Sequence, residues 1–178
     1  MLTINKMSSP VKTSEGNRSY LEYFNERLGH VPNLFIAMMY SDNALLAYYP
    51  FHSRKTSLSK RESEAITLVV SQQNNAMYCL SVHTMIAKLN GFSDDEILKL
   101  RKGVAPFNSK LDALVKLTGA IAKTPDHVDD KLLNTFFAEG YTKEQLIDAI
   151  QVVGDSFITN LTGKTFDVPI DLPLVKEL

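Results

Sequence analysis

Three helix-start signatures constrain this chain more than any other feature. Ser59-Lys60-Arg61-Glu62, Ser93-Asp94-Asp95-Glu96 and Thr142-Lys143-Glu144-Gln145 each set a hydroxyl residue three places before a glutamate or glutamine. At that spacing the hydroxyl accepts from the backbone N–H three residues on, while the longer side chain reaches back to the N–H of the cap. Phe92 with Ile97, and Tyr141 with Leu146, stand where hydrophobic staples form. Gly91 to Ile97 and Gly140 to Leu146 share one pattern, glycine–aromatic–Ser/Thr–x–x–Glu/Gln–aliphatic. Capping physics explains that match as readily as a repeated helical unit does.

The segments around these starts have the helical period. Asn17 to Leu28 carries Tyr20, Leu21, Phe24 and Leu28 on one face, and Gly29 stops it. Leu34 to Tyr40 is a short apolar helix. Asp42 or Asn43 caps the next, through Leu45, Leu46, Tyr48 and Tyr49, where Pro50 is expected to kink or end it. Lys110 to Lys123, Val128 to Glu139 and Lys143 to Leu161 follow, the last expected to stop at Gly163. No run of alternating β-branched residues competes. The spacing predicts an all-α bundle of about eight helices forming a single domain over 1–178, with extended terminal segments at 1–16 and 164–178. The aromatic group Tyr40, Tyr48, Tyr49 and Phe51 reads as core or subunit interface rather than a substrate pocket.

Composition removes several classes of function. At 178 residues, 44% hydrophobic and 22% charged, the chain has the balance of a globular protein. Nineteen basic residues against twenty acidic leave a net charge of −1, no footprint for nucleic acid or an anionic membrane. The longest clean apolar run, Leu34 to Tyr40, is too short to cross a bilayer, and Met1 to Lys12 lacks a signal-peptide core. The expectation is a soluble, cytoplasmic domain. Its glycines are scattered, so no dinucleotide-binding turn exists. Gly163-Lys164-Thr165 resembles the end of a phosphate-binding loop but has Ile158 where that loop needs glycine. His30, His52, His83 and His127 are too dispersed to suggest a metal site, and Cys79 is the lone cysteine. No cofactor or metal is expected, and no disulfide can close within the chain.

What remains is the region 58–103. Wound as a helix, Met77 to Asn90 puts Tyr78, Val82, Met85, Ile86 and Leu89 on one apolar stripe. Ala76, Cys79, Leu80, His83 and Ala87 make a second face, leaving Ser81, Thr84 and Lys88 for water. A helix apolar on two sides is expected at the centre, with Cys79 and His83 enclosed. The two stand at i and i+4, on one face, where an imidazole can take the thiol proton or stabilise the thiolate. On the preceding helix Glu64 lies at the edge of the apolar stripe, and a half-buried carboxylate there needs a polar partner such as His83. Glutamate, histidine and cysteine then form a proton relay. The plainer readings stand beside it: a small buried hydrophobe at Cys79, a hydrogen-bonded core histidine, and a solvated charge at Glu64.

At these residues the chain resembles the AhpD-like branch of the carboxymuconolactone decarboxylase superfamily, in particular its "peroxidase-related" subgroup. Leu58 to Glu64 resembles the opening before the family's core helix. Asn74 to His83 resembles its Cys-x-x-Cys-x-x-x-His motif, and Phe92 to Ile97 its next helix start. Gly29 to Phe35 is similar to the amino-terminal region of the subgroup. The resemblance implies an all-helical AhpD-like bundle assembled as a homo-oligomer, a trimer or hexamer. It also implies a thiol peroxidase acting on a small-molecule hydroperoxide. Cys79 matches the attacking cysteine, His83 the relay histidine and Glu64 its carboxylate. Ala76 stands where the family has its first cysteine, so the resolving disulfide is lost. Three outcomes follow from the resemblance. One is a one-cysteine peroxidase reduced by an external thiol or thiol protein. The second is carboxymuconolactone decarboxylase-like acid–base chemistry with Glu64 and His83. The third is a catalytically silent oligomeric scaffold.

Overall fold

The structure, a computed structural model, describes residues 14–171. Among the described residues there are nine α-helices and no strand. They are α1 (Glu15–Leu28), α2 (Asn33–Met38), α3 (Ala44–His52), α4 (Lys60–Gln73), α5 (Met77–Leu89), α6 (Asp94–Arg101), α7 (Ser109–Lys123), α8 (Asp130–Ala138) and α9 (Lys143–Thr165). The expected all-α class is the one found.

The capping boxes form as their spacing requires. Ser59 Oγ and Ser93 Oγ accept from Glu62 N and Glu96 N at 3.2 Å, and both glutamates reach back to the cap N–H at 2.8 Å. Thr142 and Gln145 do the same ahead of α9, at 3.1 and 3.0 Å. Before two of these starts Gly91 and Gly140 adopt φ of +82° and +87°, and the aromatic after each, Phe92 or Tyr141, is buried. The left-handed turn that glycine allows is what drops that ring into the core.

Two expected helix ends are corrected. Pro50 neither ends nor bounds α3, which runs on to His52. Only the bond from residue 50 to Leu46 is lost, and both residues are exposed, where water can take the freed carbonyl. Gly163 does not stop α9. The helix runs to Thr165, and the turn after it closes at Asp167, whose φ of +47° lets Val168 N reach Gly163 O at 2.9 Å. Of the expected extended termini, 1–13 and 172–178 lie outside the described residues. Inside them, α1 already begins at Glu15 and α9 continues to Thr165.

The described residues divide into two compact units, one of 14–55 with 161–171, the other of 56–160. In the first, α1, α2 and α3 close around aromatic rings. Phe24 stacks on Phe35 with centroids 4.8 Å apart, and Tyr49 meets Phe24 edge-on at 5.1 Å. Tyr48 is buried there and Tyr49 half-buried, so these two serve as core. Asn17, fully buried, donates from Nδ2 to Met39 O and Ser41 O at 3.1 and 3.2 Å, which closes the turn after α2. The residues after α9 are held by Asn33, whose N and Nδ2 donate to Asp171 Oδ2 and Pro169 O, both at 2.9 Å.

The second unit is built around α4. Ile66, Leu68, Val69 and Val70 have no exposed surface, and α4 packs on α5, α6 and α7. Burial of each such side chain is worth about 1.5–3 kcal/mol. Gly119 of α7 lets that helix come close: a Cβ there would meet Gln73 Nε2 at 3.1 Å and Val69 Cγ2 at 3.2 Å. Because α4 occupies the centre, α5 does not. The expected enclosure of α5 on two faces is therefore corrected. Its Cys79 face is buried as expected, but Met85 is 39% and Leu89 81% exposed, while Ser81 turns inward and donates to Met77 O at 2.9 Å.

Candidate active site

The turn between α4 and α5 decides which side chains can meet. Asn75 adopts φ of +50°, and Ala76 N then reaches back to Ser71 O at 2.9 Å, ending α4 in a left-handed cap. So short a connection makes α4 and α5 packed antiparallel neighbours. Glu64, two turns before the end of the wholly buried stretch of α4, then faces the middle of α5. His83 Nδ1 lies 2.8 Å from Glu64 Oε2, with the two side chains 17% and 14% exposed. The carboxylate has no proton to give, so Nδ1 carries one and donates it. In the neutral imidazole this leaves Nε2 as the free acceptor.

Cys79, one turn earlier on α5, meets a different neighbour. It is 2% exposed, and its thiol is pushed up to about 11 by burial. A hydrogen bond from the Thr159 side chain pulls the other way, and the charge of Asp155 raises the thiol further. Both residues belong to α9. Thr159 Oγ1 is itself 3.0 Å from Ser156 O and 3.3 Å from Asp155 O, so its hydrogen is shared with the helix backbone. The resting group is thus a protonated, dry thiol. The imidazole has Glu64 as its hydrogen-bond partner, and no hydrogen bond runs from it to Cys79.

Of the three candidate residues, the structure joins Glu64 to His83 directly and sets Cys79 beside them along α5. Reasoning from spacing misses Asp155 and Thr159. Their signal is nonetheless present: the inner side of α9 carries Ser156, Thr159 and Asn160, all buried, where an ordinary core helix is apolar. Asn160 Oδ1 accepts from Ser71 Oγ at 3.1 Å, tying α9 to the end of α4. Ala76, at the N-cap of α5, is buried and makes no side-chain cap. Among the described residues no three His, Cys, Asp or Glu side chains come together as a metal would need. No helix among them is long and apolar enough to cross a membrane.

Residues 42–118 match the model of the carboxymuconolactone decarboxylase family. No curated protein sequence matches the chain. Among solved structures, an uncharacterized peroxidase-related protein from Ralstonia eutropha JMP134, with an alkylhydroperoxidase AhpD core, superposes with a TM-score of 0.81 at 18% identity. That match covers 92% of this chain and 91% of the other. A peroxidase-related protein from Silicibacter sp. TM1040 gives 0.77 at 21% identity, over 95% of this chain and 88% of the other. The debrominase Bmp8, in complex with 2,3,4-tribromopyrrole, gives 0.74 at 19% identity, over 96% and 93%. Identities this low establish the shared fold. The helix pair that carries Glu64, Cys79 and His83 lies inside the segment that matches the carboxymuconolactone decarboxylase family model, and the fold is that of the AhpD-like helical proteins.

Proposed function

We propose that this protein is a one-cysteine thiol peroxidase that reduces organic hydroperoxides through Cys79, with His83 as general base and Glu64 as its orienting partner. The observation that carries the reading is the 2.8 Å bond between His83 Nδ1 and Glu64 Oε2. It fixes the tautomer that leaves Nε2 basic, one helical turn from the only thiol. Because the thiol rests protonated, a base is needed at the moment of attack.

The sulfur attacks the outer peroxide oxygen as the O–O bond breaks. The thiol proton passes through the imidazole to the departing alkoxide, giving a sulfenic acid and an alcohol. With no second cysteine in the chain, one external thiol converts the sulfenic acid to a mixed disulfide and water. A second thiol then releases Cys79 and leaves as the external disulfide. The chain assembles as a homo-oligomer in this reading.

A second reading is favoured by the separation of thiol and imidazole. Glu64 and His83 then perform acid–base catalysis like that of the decarboxylase branch, and Cys79 is a packed spectator. Intact mass after a small excess of cumene hydroperoxide, with dimedone present, separates the two. The peroxidase reading expects a rapid single adduct on Cys79 that is absent from Cys79→Ser. A free thiol after complete mixing rejects it and leaves the Glu64–His83 pair as the catalytic unit.

A further inference from the structure

Asn160 is a buried polar group that neither the peroxidase nor the acid–base reading uses. It is 1% exposed and follows Thr159, whose hydroxyl meets the Cys79 thiol. Its Oδ1 accepts from Ser71 Oγ at 3.1 Å, and the carbonyl of the same Ser71 holds Ala76 N at 2.9 Å. Those bonds place the Asn160 amide against the turn where α4 ends and α5 begins, with Ala76 three residues before Cys79. The other end of the amide is idle: Nδ2 is wholly buried and has no hydrogen-bond partner. Native interiors leave few such donors unpaired, because each has lost its water without gaining an acceptor. Ala76, the N-cap of α5, has no side-chain oxygen to offer the first turn, in which Cys79 stands third. That turn adds backbone donors and the positive end of the helix dipole. Nor does Asn160 act on the resting thiol, whose proton affinity follows burial, Thr159, Asp155 and its own backbone N–H.

A donor that is idle while the cysteine is a thiol is available to what the cysteine becomes. We infer that Asn160 Nδ2 donates a hydrogen bond to the oxygen that Cys79 carries after it has attacked a hydroperoxide. This role rests on the peroxidase reading and concerns the step that Ala76 leaves open. When the sulfur takes the outer peroxide oxygen, the O–O bond breaks and the thiol proton leaves with the alkoxide as alcohol. The oxygen left on sulfur keeps the peroxide's own proton and has lone pairs to accept from Nδ2. Drawing electron density toward that oxygen makes the sulfur a poorer nucleophile toward a second peroxide, the step that gives sulfinic acid. It also makes the sulfur a better target for an external thiol, which forms the mixed disulfide and releases the oxygen as water. With no second cysteine to close a disulfide at once, the sulfenic acid must last until that thiol arrives.

Over-oxidation measures this directly. The full-length protein is mixed with a small excess of cumene hydroperoxide, dimedone is added after increasing delays, and intact mass counts sulfenic against sulfinic acid on Cys79. Asn160→Asp keeps an oxygen for Ser71 and loses the donor, so its sulfinic acid should build up about ten- to a hundredfold faster than that of wild type. Asn160→Ala should behave alike, and either variant decides the matter if the other disturbs the helical circular dichroism. Ser71→Ala removes the tie between α4 and α9 but leaves Nδ2 in place, and should over-oxidise at the wild-type rate. Wild-type over-oxidation in the Asn160 variants overturns the inference and leaves the peroxidase reading standing. Fast over-oxidation in Ser71→Ala equal to that of Asn160→Ala also overturns it, since the effect is then one of packing. A wild type that forms no sulfenic acid rejects the peroxidase reading and this role together.

Discussion

Two positions on α5, one helical turn apart, live in opposite environments. Cys79 is dry, and burial with a nearby carboxylate keeps its thiol protonated. His83 is partly open and hydrogen-bonded to Glu64 at 2.8 Å. The spacing of i and i+4 puts both side chains on the same face of the helix. Packing then gives each to a different neighbour: α4 takes the imidazole through Glu64, and α9 takes the thiol through Thr159 and Asp155. A sequence motif shared by two residues is therefore not yet a chemical pair. In the proposed mechanism the base is oriented in advance, and the nucleophile waits for a proton acceptor.

The sharpest way to break this comparison is to remove the thiol. Cys79→Ser should lower hydroperoxide consumption by about a thousandfold or more, to the uncatalysed background. Turnover that survives Cys79→Ser but disappears in Glu64→Gln would assign the chemistry to the α4 side alone.

The next effect is on stability. The folded thiol titrates at about 11, above its ordinary 9.0, so the stabilisation from burying it neutral is complete below pH 9. It is lost as the pH rises through 11, and the shift corresponds to about 3 kcal/mol. Urea denaturation of wild type and Cys79→Ser from pH 7 to 11 should show wild type losing the extra amount. Parallel curves would mean that the folded thiol is not held above its ordinary range.

Orientation of the imidazole comes third. Glu64→Gln should slow sulfenic acid formation by about ten- to a hundredfold in stopped-flow traces, because the tautomer and the imidazolium both lose their carboxylate. The smallest changes belong to the α9 side. Asp155→Asn removes a charge that raises the thiol, so alkylation by iodoacetamide at pH 9 should quicken a few-fold. Thr159→Val removes a hydrogen bond that lowers it and should slow the same reaction. Unchanged rates in both variants would show that α9 does not tune Cys79.

Much of this arrangement is legible in the residues alone. The helix starts at Ser59, Ser93 and Thr142 are local, since each needs only a hydroxyl and a carboxylate or amide three residues apart. The Glu64–His83 pair is legible because a carboxylate at the edge of an apolar face must find a polar partner. Three points are not. Leu89 lies on an apolar stripe that suggests burial, yet it is 81% exposed, because the periodicity of one helix does not say how many neighbours it has. Pro50 suggests an interruption of α3, yet one lost bond at an exposed position does not stop a helix whose other face is packed. Thr159 and Asp155, some eighty residues after Cys79, carry no local sign of which thiol they meet.

Periodicity, caps and turn residues determined the class of fold and the boundaries of most helices, because these depend on hydrogen bonds and side-chain spacing within a few residues. Which helix is central was decided only by long-range packing: α4, with Ile66, Leu68, Val69 and Val70 wholly buried, took that place and left α5 half open. The same packing set the state of Cys79. A thiol's proton affinity follows the water and charge around it, and those come from whichever chain segment folds against it. For this protein that segment is α9.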